Sequence, residues 1–171
     1  MAEELSEHAV RNREFWDRQA DDYQERHREH IGRGEPRWGM WQLPEDELGV
    51  LGDVAGKDVL ELGCGAAQWS ILLAGHGARV VGIDNSERQL EYARRALSAA
   101  GLEFPLVPGS AESLPFGESS FDVVFADHGA NRFADPYGWV PEAARVLRPG
   151  GLLAFSGATP WEYLCWDSEA D

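Results

Sequence analysis

From Gly56 onward the chain alternates short apolar runs with longer stretches whose apolar residues recur at helical spacing. This alternation builds a parallel sheet joined by crossover helices. The runs predict strands near 58–62, 79–83, 104–107, 121–126 and 152–156. Helices are expected between the first and second strands, the second and third, and the fourth and fifth. The second helix carries the clearest signals: Ser86 as N-cap with Gln89 three residues on, then Leu90, Ala93, Leu97 and Ala100 on one face, and Gly101 just past the end. The expected fold class is therefore α/β, with a doubly wound parallel sheet of about five strands.

Upstream the pattern differs. Residues 3–30 are polar, with Leu5, Phe15, Trp16, Ala20 and Tyr23 the main apolar positions, and the spacing 16, 20, 23 predicts an amphipathic helix. Residues 31–44 are broken by glycines and prolines yet hold Trp38, Met40 and Trp41, a heavy apolar load for a loop. A lid or packing arm is expected there. The predicted division is a helix and lid segment over 1–44 and the sheet domain over 45–171.

Composition narrows the partners. With 43% apolar residues in 171, one sizeable core is affordable and two ordinary domains are not. Thirty acidic residues against 15 basic give a net charge of −15, which repels phosphate backbones and anionic bilayers. A small-molecule partner is expected, with neither nucleic acid nor membrane. Cys64 and Cys165, far apart in sequence, predict no disulfide framework or cysteine metal site. The first ten residues lack the basic start and apolar run of a signal peptide, so a cytoplasmic protein is expected.

The first predicted strand runs directly into a turn almost free of large side chains, Gly63-Cys64-Gly65-Ala66-Ala67, and then into a helix. Gly63 and Gly65 permit positive φ and close backbone approach, and the helix start offers unsatisfied N–H donors. A tight turn with no ligand would need no more than this. A dinucleotide site would place a third glycine where Gln68 stands, so a ligand without a pyrophosphate is favoured. Glu61 sets a carboxylate beside the turn that suits a cationic amine. Asp84 ends the second strand, where a carboxylate accepts both hydroxyls of a ribose; the competing role is capping of the following helix.

The motifs ELGCGAA (61–67), GIDNS (82–86), GSAESLPF (109–116), FDVVFADHG (121–129) and RVLRPGG (145–151) occur in an order that resembles class I S-adenosylmethionine-dependent methyltransferases. Within that family the chain is most similar to the small-molecule, type 11-like group. The resemblance covers about residues 55–157 and implies a Rossmann-like domain with S-adenosyl-L-methionine as cofactor. Glu61 would orient the methionine amino group, and Gly63, Cys64, Gly65 and Gln68 would form the loop along the methionine and ribose. Asp84 would hold the ribose, Asn85 would border the adenine, and Ser110, Ala111 and Glu112 would line its edge. Asp127 and His128 would face the sulfonium and acceptor. The segment FWDRQADDY (15–23) resembles the family's first helix, in which Tyr23 would close over the cofactor; simple packing of Trp16 and Tyr23 is the competing role. Two departures stand out: Ala67 and Ser110 occupy positions where the family often has glycine and an acid.

The implied reaction is in-line methyl transfer to a small-molecule acceptor, for which His128 is the candidate base, with local hydrogen bonding as its alternative. His27 and His30 are three apart but lack a third ligand, so no metal is expected. The family's seventh-strand hairpin has no counterpart in this sequence, which predicts a truncated sheet whose last strand is an open edge for homo-oligomer contacts, unless the segment 161–166 forms a helix over it. The alternatives are a cofactor-binding but inactive module and, with less support, an NAD(P)-dependent oxidoreductase.

Overall fold

The computed structural model describes residues 5–27 and 34–157. Helix α1, Glu7–Arg26, is capped by the Ser6 hydroxyl, which accepts from Ala9 N. A two-residue ladder of β1, Arg37–Trp38, with β2, Leu43–Pro44, follows, then the short α2, Glu45–Leu48. The sheet domain alternates as predicted: β3 Asp58–Leu62, α3 Gln68–Gly75, β4 Arg79–Asp84, α4 Glu87–Ala100, β5 Leu106–Pro108 and β6 Phe121–Asp127. The one-turn α5, Ala130–Phe133, α6, Pro136–Val146, and β7, Leu147–Ser156, complete it.

Five parallel strands stand in the order β5-β4-β3-β6-β7. The Rossmann-like α/β fold is thus present. Residues 123–126 of β6 are all buried, as expected for a parallel strand with layers on both faces. On one side Leu60, Leu62, Ile83 and Val124 pack against Trp139, Ala143 and Val146; on the other Val59, Val80, Val123 and Phe125 meet Trp69 and Leu73. Ser86 caps α4 through Gln89 N, and Gly101 ends it at φ 65°, both as read from the sequence.

Two boundaries moved for local reasons. Pro105 has no N–H to give; it accepts from Gly82 through its carbonyl, and the third strand's ladder begins only at Leu106. The final strand starts at Leu147, not 152, because Leu147 already pairs with Phe121 before the Arg148-Pro149-Gly150-Gly151 stretch bulges out and pairing resumes at Leu152. The segment 161–166 and His30 lie outside the described residues. Among the described residues β7 pairs with β6 alone, and no helix is long and apolar enough to cross a membrane.

The arm around β1 is built into the core. Trp38 is buried, stacking obliquely on Trp69 at 4.6 Å between centroids, whereas Trp41, three residues on, is 87% exposed.

The order in which strands are added reverses at the β3–β6 junction, opening a crevice at the carboxyl ends of the strands. There a Cβ on Gly129 would lie 2.4 Å from the Leu62 carbonyl oxygen and 2.6 Å from that of Gly63. Gly129→Ala should therefore force the two strand ends apart and destabilise the fold by about 1–3 kcal/mol, the usual range for overpacking. A urea midpoint equal to that of the parent chain would show that the junction tolerates separation.

Candidate functional site

The turn after β3 is shaped by backbone bonds. Gly63 N and Cys64 N both donate to the Ile83 carbonyl, at 2.9 and 3.0 Å, folding the chain toward β4. Gly63 takes φ 72°, and a Cβ there would stand 2.4 Å from Ala130 N. Ala67, fully buried, adopts φ 60° as the N-cap of α3, a left-handed conformation that costs an L-residue roughly 1–2 kcal/mol. A glycine at this position would carry no such strain. Gln68 opens α3, where a third glycine would stand in a dinucleotide turn.

Three carboxylates surround this turn. Glu61 is 4% exposed, and its Oε2 accepts from both the N–H and the hydroxyl of Ser70. Burial pushes its pKa to about 8 against the opposing Ser70 bonds, with Asp127 and Asp84 adding to the rise. Asp84 accepts from Gly65 N through Oδ2 and from Ser86 N through Oδ1, both at 2.8 Å, and burial lifts it to about 6. The helix cap itself is Ser86, so Asp84 braces the glycine turn and each of its oxygens keeps accepting capacity. Asp127 accepts from Gly39 N at 2.9 Å and Trp69 Nε1 at 3.2 Å, and burial raises its pKa too. The adjoining Cys64 thiol is buried and pushed well up, which keeps it protonated and unreactive at neutral pH.

The remaining walls come from two loops and α1. Ser110 is buried, with its hydroxyl accepting from Glu112 N, and Glu112 accepts from Ser6 Oγ and Asp135 N. His128 sits at φ 51°; its N–H donates to the Ser156 carbonyl, and its Nδ1 lies 3.0 Å from Arg132 Nη1. Helix α1 crosses over the crevice. Asn85 Nδ2 donates to the Ala9 carbonyl at 2.6 Å, Ser86 Oγ to Asp17, and Gln24 Nε2 to Gln89 Oε1 at 2.8 Å. Tyr23 stacks on His27 at 4.2 Å and meets the Trp16 edge at 5.3 Å.

These parts enclose one cavity of about 720 Å³, within the usual range for small-molecule and cofactor sites. All the site positions singled out from the sequence, from Tyr23 to His128, line it. Sequence reasoning missed Arg132, Trp69, Ser70, Gln24 and Gln89. Arg132 stands four residues after His128, a spacing that becomes a contact only because the unpredicted α5 turn follows.

A parallel α/β sheet with a glycine turn and an acidic strand end beside it defines a nucleoside-binding class of domain. Residues 60–155 match a family described as a methyltransferase domain, and the chain belongs to that family. It is 40% identical over 103 residues to the demethylmenaquinone methyltransferase of Listeria monocytogenes, covering 58% of this chain and 44% of that enzyme. It is 38% identical over 110 residues to the fatty-acid O-methyltransferase of Mycolicibacterium smegmatis, covering 63% of this chain and 39% of that one. The chain thus spans less than half the length of either relative. A SAM-dependent methyltransferase from Aquifex aeolicus has the same fold, with a TM-score of 0.60 at 24% identity over 69% of this chain and 70% of that one.

Because Glu61 and Asp84 have raised pKa values in the folded chain, they add stability that is full below their ordinary values of 4.5 and 3.8 and is lost as pH rises through about 8 and 6. The ligand-free melting temperature should accordingly fall between pH 5 and 8. Glu61→Gln, which keeps an oxygen for Ser70, should flatten that fall in thermal scans. An identical slope would mean that Glu61 is ionised throughout.

Proposed function

We propose that this chain binds S-adenosyl-L-methionine in the crevice and transfers its methyl group to a small-molecule acceptor. The observation that carries this reading is the pair of buried carboxylates, Glu61 and Asp84, flanking a glycine turn. A pyrophosphate brought to that turn would make both carboxyls still harder to ionise. A ligand with an ammonium and ribose hydroxyls, and no phosphate, suits the same groups.

In this reading Glu61 attracts the ammonium, and the 63–65 backbone with Cys64 and Gln68 lies along the methionine and ribose. Asp84 accepts the two ribose hydroxyls with the lone pairs left over from Gly65 and Ser86. Asn85 borders the adenine, which rests against Ser110, Ala111 and Glu112. Asp127 and His128 face the reacting end, and residues 5–27 and 34–44, with Tyr23, form the lid. When bound, the sulfonium supplies a methyl group that is already activated. What remains for the protein is alignment, which is worth roughly 7–11 kcal/mol when reactants are held in line. The methyltransferase names of the relatives support the same activity, and their small-molecule substrates support a small acceptor.

Calorimetric titration with S-adenosylmethionine, S-adenosylhomocysteine and NAD should give binding with both sulfur ligands and none with NAD. Heat with NAD alone would sink the proposal. Asp84→Ala should weaken S-adenosylhomocysteine binding by about 1–3 kcal/mol through lost charge-assisted hydrogen bonds. An unaltered affinity would assign Asp84 to bracing the turn and nothing more.

A further inference from the structure

Among the few residues that α1 buries, one is a glutamine. A buried amide gives up its bonds to water, so it persists only where another group bonds to it. Gln24 Nε2 donates to Gln89 Oε1 at 2.8 Å, and Gln89, on α4, is 3% exposed. Resting on the S-adenosylmethionine reading above, we propose that this amide pair couples the ribose position to the lid. Gln89 donates to a ribose hydroxyl beside Asp84, and Gln24 is the positioning residue that orients the Gln89 amide and passes occupancy on to α1.

The ribose position needs such a donor. A hydroxyl that gives its one proton to Asp84 still carries lone pairs that accept. Two backbone donors beside it, Gly65 N and Ser86 N, are already committed to Asp84 itself. Gln89 has its oxygen occupied by Gln24, and among the described residues its NH2 group meets no acceptor. The amide is also in the right place: a Cβ on Gly65 would lie 3.8 Å from Gln89 Oε1, and both glutamines line the cavity. The Gln89 side chain thus lies against the turn that Asp84 braces. Reversing both amides exchanges donor and acceptor and still leaves Gln89 a second N–H.

The start of α4 also receives other bonds from α1. Asn85 Nδ2 donates to the Ala9 carbonyl, Ser86 Oγ to Asp17, and Arg88 pairs with Asp21. These residues follow Asp84 directly in sequence. A ligand that settles Asp84 and Gln89 therefore settles the ground on which α1 is anchored. Such coupling is reciprocal, so whatever ligand binding adds to the seating of α1, the seating of α1 adds to ligand binding.

The test titrates S-adenosylhomocysteine and its 2′-deoxy and 3′-deoxy forms into the parent chain, Gln89→Leu and Gln24→Leu, and follows amide exchange of α1 with and without each ligand. Gln89→Leu should weaken S-adenosylhomocysteine about fivefold and one deoxy form less than about twofold, because that form lacks the hydroxyl that Gln89 serves. Gln24→Leu should weaken S-adenosylhomocysteine about threefold. It should also erase most of the protection that binding adds to α1, with the protection of β3 and β6 unaltered. In the parent chain the same deoxy form should protect α1 less than S-adenosylhomocysteine does, a comparison that requires no variant to fold. Equal weakening of all three ligands by Gln89→Leu, or no weakening, overturns the proposal, since a merely structural amide pair predicts either result. Protection of α1 that is the same in Gln24→Leu as in the parent, or the same with all three ligands in the parent, also overturns it. A parent chain that fails to bind S-adenosylhomocysteine at all marks instead the failure of the reading beneath.

Discussion

At the centre of the crevice two strand ends pass so closely that neither Gly63 nor Gly129 has room for a side chain. With those ends touching, the turn after β3 must fold toward β4, where the Ile83 carbonyl receives two consecutive N–H groups. That fold carries Gly65 onto Asp84 and sets α3 so that Ser70 caps Glu61. A single steric constraint thus orders the turn, both carboxylates and the helix start behind them.

The carboxylates then define a local electrostatic imbalance. Burial makes each harder to ionise, and the hydrogen bonds each receives only partly offset this. A folded chain tolerates such groups where they serve a ligand, since a positive partner restores what burial takes away. The strained Ala67 belongs to the same economy: it is held in the left-handed region by the turn on one side and the packed helix on the other.

Much of this was readable in advance because it depends on local periodicity and on residues with few roles. The number and order of the sheet strands, the Ser86 and Gly101 boundaries of α4, the glycine turn and the acidic strand ends all stand where the pattern put them. What the sequence hid depends on tertiary contact. Nothing local distinguishes Trp38, buried against Trp69, from Trp41 in solvent. The pairing of Leu147 with Phe121 draws the last strand back through a proline and two glycines that locally read as a turn. The Arg132–His128 contact needs a single helical turn too short for periodicity to reveal.

Helix α1 buries only Ala9, Ala20 and Gln24, and it is fastened to the sheet domain chiefly by hydrogen bonds to Asn85, Ser86 and Gln89 and by the exposed Asp21–Arg88 pair. Exposed positions away from such bonds carry little of a protein's stability. The outward and cavity-facing surface of α1 can therefore be rewritten with small effect on the core, while its anchoring residues stay put. The layer over the crevice is in this sense interchangeable, and the layer beneath it is not.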